Sequence, residues 1–575
     1  MDFHTFTVSS FFGQPKVKFT IPSYQRAYSW EEAQWSQFLD DLYDHRHSTK
    51  ETPYSYGSIL LQVISNDEEY GIIDGQQRIT TLSIFVRVLL NEILHRQLQT
   101  ERVVVSDEER IYFKDYGIIK LHPVEYDKGC YDTIIIENKD SFNCTTPSQK
   151  RMVAAKKWFS QKLQHMQDVD ISLLFNTLGI ARLNVIELSG NKESALMFEL
   201  QNNRGKKLTN LESLKSFFMY QMYIYSEPES VETNIDYISN LFAPIYKLSN
   251  DLNELLIEGD YENERHALSE DNILLYHCYA YGKLNFGYRN LGDTIDEFKE
   301  ITDENKVSWI KQFVLELYNS FTNLKTLLTY KDSSLAKLKR LGIPSFAYPF
   351  ILKGMKYNQN DRDSFSELLR ILEVMSFRYK LINSRADIRG RLSMILRSFS
   401  GNVNQLASSI REKMNAEQYW GDTKIAEVLN GKMYQNPVIH YLLWEYEESI
   451  QKKGYSFGSI HIEDESIEHI SPRTEDDEWV KSGYEVDANN HYSQEFIDSY
   501  LNKLGNLVLI SKSHNSKIGN HPFVEKLDSF VSNPLLVQQS EISSFIDENN
   551  PIWNSSAIDK RHAKITEFAL KRWSF

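Results

Sequence analysis

The feature that most restricts the fold is a junction at residues 71–82, where an apolar run meets a polar pentad and then apolar residues at helical spacing. The pentad consists of Asp74, Gly75, Gln76, Gln77 and Arg78. The residues before it predict a strand and those after it predict a helix, so the pentad lies at a strand-to-helix turn. Such a stretch is poor core material. It therefore predicts either a solvated turn or a site for a polar, charged ligand.

The chemistry of the pentad favours a phosphate or nucleotide pocket. Helix N-termini carry unpaired N–H groups and a partial positive charge, which suit anions. Gly75 lets the backbone approach a ligand closely, and Arg78 can form a fork onto phosphate oxygens. Asp74 can hold a divalent cation or a water, while the amides of Gln76 and Gln77 can orient a nucleophile. A capped, solvated turn remains the alternative, because no glycine-rich Walker loop is present.

Sequence pattern divides the chain into three parts. Residues 1–225 mix strands with helices, residues 226–450 are almost wholly helical, and residues 451–575 return to short strands. The predicted strands are 56–64, 68–74, 181–188 and 504–510, and the predicted helices include 78–98, 362–382 and 556–573. We therefore expect an α+β multidomain protein with a largely helical middle.

Composition excludes several classes of protein. The three cysteines are widely spaced, which excludes a zinc knuckle and a disulfide framework and suits a reducing cytoplasm. Neither a signal peptide nor a membrane-spanning apolar stretch is evident, so we expect a cytoplasmic protein without a membrane partner. The net charge of −15 counts against a nucleic-acid enzyme, unless local basic patches or a metal ion make the contact.

Two further stretches share the character of the pentad. Residues 21–30 place Gln25 and Arg26 among aromatic side chains, which could stack a base or form a half-buried packing edge. Residues 198–217 contain a polar turn followed by a helix, which is also the pattern of an ordinary helix with a glycine C-cap. The candidate ligand-binding residues of this second stretch are Asn202, Arg204 and Lys215.

Together, the motifs IPSYQRAYSW, GSILL, IIDGQQRITTL and NNRGKKL resemble the DGQQR family. This is the ParB/sulfiredoxin-like α+β domain of GmrSD-type modification-dependent restriction proteins, and the resemblance covers roughly residues 10–220. It implies binding and hydrolysis of a nucleoside triphosphate, with Asp74 and Gln76 as catalytic residues. The implied nucleotide-binding residues are Asp74, Gly75, Gln76, Gln77, Arg78, Gln25, Arg26, Asn202, Arg204 and Lys215.

A second constellation lies near the C-terminus. Glu468 and His469 are adjacent, and Asn506 and Asn515 follow within residues 504–520. Phosphodiester cleavage needs an activated water and a cation near the scissile phosphate. A histidine is a natural general base, and carboxylate and amide oxygens suit Mg²⁺. An exposed acidic loop with an incidental histidine is the alternative.

The motifs IEHISP, LGNLVLI and HNSKIGN resemble the HNH, or ββα-metal, nuclease domain of the same restriction family. The resemblance implies that His469 is the general base, that Glu468 and Asn515 are metal ligands, and that Asn506 positions the loop. His514 could replace Asn515 as a ligand. The family often has Gln after the proline, where this chain has Arg473, and the difference leaves local substrate contacts open.

The resemblance implies an NTP-regulated, metal-dependent DNA endonuclease of antiphage defence that acts on modified DNA. The implied cofactors are Mg²⁺ or Mn²⁺ and a nucleoside triphosphate (GTP, ATP or UTP). The implied partner is double-stranded DNA, modified or not, and a homodimer is left open. One alternative is a nucleotide-binding DNA sensor or scaffold whose HNH-like domain does not cut, and another is an RNA-directed toxin.

Overall fold

The computed structural model describes residues 2–23, 25–65, 68–98, 104–188, 209–259, 262–282, 291–417, 419–451, 465–474, 482–532, 534–547 and 549–575. These residues form two compact units, one up to residue 328 and the other from residue 329 onward. The predicted boundary after residue 225 falls inside the first unit, and that after residue 450 falls inside the second. Within the described residues, no helix combines the length and the apolar character needed to cross a membrane.

Within its described residues, the first unit is built on a six-stranded mixed sheet. The strands of this unit are β1 Asp2–Thr7, β2 Lys18–Thr20, β3 Ser55–Ser65, β4 Glu69–Asp74, β5 Lys114–Asp115, β6 Ile118–Ile119, β7 Leu121–His122 and β8 Arg182–Leu188. The sheet order is β1-β8-β3-β4-β2-β7, and β5 pairs separately with β6. β3 runs antiparallel to β4 and parallel to β8, while β2 runs parallel to both β4 and β7.

Helices pack around this sheet. The helices of the first unit are Val8–Phe12, Glu32–Asp44, Gln76–His95, Val105–Tyr112, Lys128–Tyr131, Pro147–Gln164, Asp168–Ile180, Asn210–Tyr225, Val231–Glu258, Glu262–Ala267, Glu270–Tyr281, Leu291–Lys299 and Asp303–Thr329. The helix Gln76–His95 is buried along almost its whole length. Its Phe85 packs edge-to-face on Phe38 and Phe159, with ring centroids 5.2 and 5.1 Å apart. This burial holds the start of the helix, and hence the polar pentad, in a fixed position.

The second unit is mainly helical. Its helices are Ser333–Leu341, Ala347–Tyr357, Arg362–Ile382, Ile388–Ser398, Val403–Glu417, Asp422–Leu429, Ile439–Ile450, Gln494–Ser499, Lys512–Ile518, Phe523–Ser532, Val537–Ser540 and Ser555–Arg572. The end of the last helix reaches the middle helices, because Trp573 stacks on Phe377 with ring centroids 3.6 Å apart. The helices before and after residue 450 thus share one core.

A two-stranded antiparallel ladder separates two cores in this unit. Its strands are β9 Glu465–His469 and β10 Leu507–Ser511, with His469 opposite Leu507 and Glu468 opposite Val508. Successive side chains of a strand face opposite sides. Leu507 therefore joins the core that contains Trp573, whereas Val508 joins the core around Trp553. The helix Lys512–Ile518 follows β10 directly.

The α+β class expected from the sequence is confirmed. Strands occupy 55–65, 69–74 and 182–188, close to the predicted positions, and the helix Arg362–Ile382 lies where periodicity placed it. The predicted strand 504–510 begins instead with a 3₁₀ turn, Leu504–Asn506, and only then becomes β10.

Candidate functional sites

A glycine in the left-handed region forms the strand-to-helix junction of the first unit. β4 ends at Asp74, and the helix begins after Gly75, whose φ is 92°. A Cβ atom at Gly75 would lie 3.1 Å from Ile59 Cγ1 and 3.3 Å from Arg78 Nη2. Glycine takes this backbone conformation without strain and leaves that space empty. Gly75 therefore sets the direction in which Asp74 and Arg78 leave the junction.

The side-chain amides bind this junction to the segment 25–29. The hydrogen bonds run from Ser29 N to Gln77 Oε1 (2.8 Å), from Gln77 Nε2 to Ala27 O (3.0 Å), from Gln76 Nε2 to Arg26 O (3.2 Å) and from Gln25 Nε2 to Ile73 O (2.9 Å). Gln25 thus bonds from the segment 25–29 to the end of β4, and Gln76 bonds from the helix back to that segment. Hydrogen bonds between glutamine side chains and main-chain atoms thus join residues 21–30 to the polar pentad.

The charged members of the junction are partly accessible. Arg78 Nη2 lies 3.8 Å from Asp74 Oδ2 and donates to Ser58 O at 2.5 Å. The side chain of Asp74 is 50% exposed and that of Arg78 is 30% exposed. Both can therefore contact a ligand from solvent without a change in the core.

Arg26 pairs with Glu212, a carboxylate whose charge also acts on Lys215. Arg26 Nη1 lies 3.6 Å from Glu212 Oε1, and Lys215 follows on the same helix, Asn210–Tyr225. Burial lowers the pKa of Lys215 to about 7, while the negative charge of Glu212 acts in the opposite direction. The other two residues predicted from this stretch, Asn202 and Arg204, lie outside the described residues.

A small cavity with both polar and apolar walls lies beside the junction. Its walls include Arg26, Gln77 and Asp127, and its volume of about 10 Å³ is enough for roughly one water. Burial raises the pKa of Asp127 to about 6. Gln76 Oε1 is buried, and within the described residues it has no hydrogen-bond partner. The cavity is too small for a nucleotide, so a nucleotide would have to contact the exposed side of Asp74 and Arg78.

In the second unit, Glu468 forms a buried ion pair. Its Oε1 accepts a hydrogen bond from Lys526 Nζ, and Lys526 has a fully buried side chain. Lys526 also donates to His469 O at 3.2 Å. Burial raises the pKa of Glu468, and the positive charge of Lys526 opposes that change. The lysine thus supplies a positive charge at the carboxylate that the sequence assigned to a metal ion.

His469 lies on the opposite face of β9. Its Nε2 lies 3.1 Å from Asn502 Oδ1, and its ring centroid lies 4.3 Å from that of Tyr434. Burial lowers the pKa of His469 to about 4, and the charges of Arg473 and Lys526 act in the same direction. The imidazole is therefore neutral near pH 7, which is the form that a general base requires.

Asn506 joins three segments around this histidine. Its Oδ1 accepts from Ser471 N at 2.8 Å and from Trp553 Nε1 at 2.9 Å, and its Nδ2 donates to Leu501 O at 2.9 Å. Asn506 is completely buried. It therefore fixes the loop that follows β9 and contributes to the site through that loop.

Asn515 lies on the same face of β9 as Glu468. Its Nδ2 donates to Ser466 Oγ at 3.0 Å, and Ser466 is two positions before Glu468 on the strand. The neighbouring His514 is directed elsewhere, with its Nε2 2.6 Å from Ser529 Oγ.

The structure therefore gathers the predicted residues into two sets. Glu468 and Asn515 share one face of the ladder, and His469 occupies the other. Within the described residues, no group of three His, Cys, Asp or Glu side chains is arranged to hold a metal ion.

Sequence reasoning missed Tyr434 and Asn502, and it did not find the contact of Lys526 with Glu468. Asn502 and Lys526 occur close to motifs that had been recognised, but only the fold shows their contacts. Tyr434 comes from the region predicted as a separate helical part. It reaches His469 because Met433 N donates to Asn502 O at 2.8 Å, which places the segment 432–434 beside the ladder.

Comparison with protein-family models gives two matches, one in each unit. The model described as "GmrSD restriction endonuclease, N-terminal domain" matches residues 8–219. The model described as "GmrSD restriction endonucleases, C-terminal domain" matches residues 411–568, and so includes Tyr434. No curated protein matches the chain.

Proposed function

Because the chain belongs to the GmrSD family of restriction endonucleases, we propose that its second unit hydrolyses phosphodiester bonds of modified DNA in the manner of an HNH nuclease. In this proposal the first unit binds and hydrolyses a nucleoside triphosphate and thereby regulates cleavage. The observation that carries the proposal is the position of His469, whose buried ring is held between Asn502 and Tyr434.

The proton chemistry follows from the contacts of His469. When Nε2–H donates to Asn502 Oδ1, the Nδ1 atom carries the lone pair. This nitrogen is then the atom that removes a proton from the attacking water. The low pKa of His469 keeps it unprotonated at neutral pH. Asn506 holds the loop 470–473 next to the histidine and so maintains the approach to the base.

Glu468 and Asn515 fit a divalent cation in the chemistry of their donors, because carboxylate and amide oxygens are ligands that Mg²⁺ and Mn²⁺ accept. In our proposal these two residues hold the ion. When bound, it would offset negative charge on the scissile phosphate. Lys526 competes for the carboxylate, and Mg²⁺ or Mn²⁺ binding therefore requires the second oxygen of Glu468 or displacement of the ammonium group.

The nucleotide site is proposed at the junction of the first unit. Arg78, partly exposed beside the helix N-terminus, is suited to phosphate oxygens, and the half-exposed Asp74 is suited to a metal-bound or attacking water. Gln25, Gln76 and Gln77 hold the surrounding backbone, and Arg26 pairs with Glu212. The side-chain oxygen Oε1 of Gln76, buried without a partner in the described structure, is available to a water or a polar group of a ligand at the junction.

The Glu468–Lys526 pair favours a second candidate, a nucleotide-binding DNA sensor that does not cut. A buried lysine already neutralises the carboxylate, so this chain could retain the fold without binding a catalytic ion. Cleavage assays separate the two candidates.

The decisive experiment is plasmid cleavage with matched modified and unmodified DNA, in the presence of Mg²⁺ or Mn²⁺ and each nucleoside triphosphate. We expect His469→Ala to lower the cleavage rate by about 10²-fold or more, which is the usual contribution of a general base. His521→Ala is the matched control, because this imidazole is largely exposed and pairs with Glu525. Lack of cleavage by the wild type under every condition would support the sensor.

The nucleotide proposal has its own test. Asp74→Ala should abolish nucleotide turnover and remove the nucleotide dependence of cleavage. Asp44→Ala, an exposed carboxylate at the end of the helix Glu32–Asp44, should change neither property. If Asp74→Ala retains both, the first unit does not regulate cleavage through this junction.

A further inference from the structure

We propose that Arg473 binds the phosphate of the DNA strand next to His469, with Tyr434 as the platform that holds its guanidinium group. This inference rests on the proposed nuclease function and assigns a further substrate-binding residue to it. The sequence alone left the consequence of an arginine at this position open.

The first observation is the position of Arg473. It lies in the loop after β9, and its side chain is exposed. Its Cζ atom lies 5.2 Å from the centroid of the Tyr434 ring, within the range of a cation–π contact. The ring of His469 lies 4.3 Å from the same tyrosine. Tyr434 therefore contacts both the exposed guanidinium group of Arg473 and the buried ring of His469.

The second observation is that the backbone is held at the start of this loop, just before Arg473. Asn506 binds both main-chain groups of Ser471, accepting from N at 2.8 Å and donating to O at 3.3 Å. Pro472 restricts the next backbone torsion. The buried amide of Asn506 thus holds the backbone two residues before Arg473, and the ring of Tyr434 contacts the guanidinium end of its side chain.

The third observation is the charge of the chain. A protein with a net charge of −15 gains little from general attraction to DNA. Contacts with DNA must therefore come from cations at particular positions. Arginine at such a position can form two parallel hydrogen bonds with a phosphate group. This geometry would hold the phosphodiester within reach of the base.

The test measures DNA binding without cleavage. The full-length His469→Ala protein is titrated against a short fluorescein-labelled duplex in EDTA, at several salt concentrations. One lost phosphate contact should reduce the slope of log K against log salt by about 0.9. We expect this reduction for His469→Ala/Arg473→Gln. We expect an unchanged slope for His469→Ala/Arg385→Gln, in which an exposed arginine between the helices Arg362–Ile382 and Ile388–Ser398 is neutralised.

Two further variants separate charge from geometry. Arg473→Lys should keep the slope but lower cleavage about tenfold, because lysine cannot form the paired contact. Tyr434→Leu should also keep the slope and lower cleavage, because the cation remains but its platform is lost. An unchanged slope in Arg473→Gln, or no measurable binding of duplex DNA, would overturn the proposal. If His469→Ala cleaves at the wild-type rate, the base assignment fails, and the salt slope still reports on Arg473.

Discussion

Lys526 donates a hydrogen bond to Glu468 from a position that is completely buried in the second unit. Burial lowers the pKa of Lys526 and raises that of Glu468, while their attraction opposes both changes. Such a pair is stable only while both partners are present, since either charge alone would remain buried without compensation. It connects the helix Phe523–Ser532 to the end of β9, next to the proposed base.

Removal of one partner should therefore be costly. We predict that Lys526→Met lowers the free energy of unfolding by about 3–5 kcal/mol, measured from urea transitions. Lys432→Met is the control. It breaks an exposed pair with Asp498 and should cost no more than about 1 kcal/mol. Equal effects of the two substitutions would show that the Glu468–Lys526 pair is not buried in solution.

The glycine at the strand-to-helix junction provides a second prediction. Gly75→Ala should destabilise the protein more than Gly117→Ala, although φ is 92° and 90° at the two positions. The backbone strain is similar, about 1–2 kcal/mol. Only at Gly75 would the new methyl group also contact Ile59 and Arg78, since a Cβ at Gly117 meets nothing within 4 Å. Thermal melting of both variants, together with nucleotide turnover, measures the difference.

Asn506 offers a graded test of loop positioning. Asn506→Ala removes bonds to Ser471, Leu501 and Trp553, and should cost about 2–4 kcal/mol. Trp553→Phe removes one of these hydrogen bonds together with part of a buried ring, and should cost about 1–2 kcal/mol. Cleavage should fall further in the alanine variant, because the loop that carries Arg473 loses its anchor. Equal losses of stability in urea would contradict this order.

Burial of His562 predicts a stability change at acidic pH. Its Nε2 lies 2.8 Å from Asn430 Oδ1, and burial lowers its pKa to about 4. The charge of Lys503 acts in the same direction and that of Asp559 opposes it. The unfolded imidazole, with a pKa of about 6.5, binds a proton first as the pH falls. The stability is thus complete above about pH 6.5 and is lost as the pH falls towards 4.

The pH dependence can be measured with two histidine variants. His562→Gln should reduce the slope of unfolding free energy against pH by up to about 1.4 kcal/mol per unit in this range. His521→Gln, which replaces a largely exposed imidazole, is the control, and His562→Gln should reduce the slope more than this variant does. Equal loss of slope in the two variants, or loss in neither, would contradict a buried, neutral His562.

Local sequence signals predicted the secondary structure well where side-chain spacing alone determines it. The junction at Asp74–Arg78, the strands around it and the helix Arg362–Ile382 follow from apolar periodicity and one glycine. The order of strands in the sheet does not follow from local spacing, because β2 pairs in parallel with both β4 and β7, which are distant in sequence. Such pairings depend on the packing of the whole unit.

The candidate sites show the same division. Sequence motifs identified His469 and Glu468, but adjacent residues on a strand face opposite sides, and the side chains accordingly have different partners. The partners Lys526 and Asn502 are 58 and 33 positions away from Glu468 and His469, respectively. No local pattern specifies a contact of that kind. Tyr434 was missed because its own segment carries no motif.

The contribution of Tyr434 and Met433 to the surroundings of His469 affects how chimeric proteins should be made. A transplant that starts at residue 451 would carry the imidazole into a host without the ring that faces it or the main-chain bond to Asn502. A chimera of this chain with a relative should therefore use a crossover point before residue 430, so that His469, Tyr434 and Met433 come from the same parent.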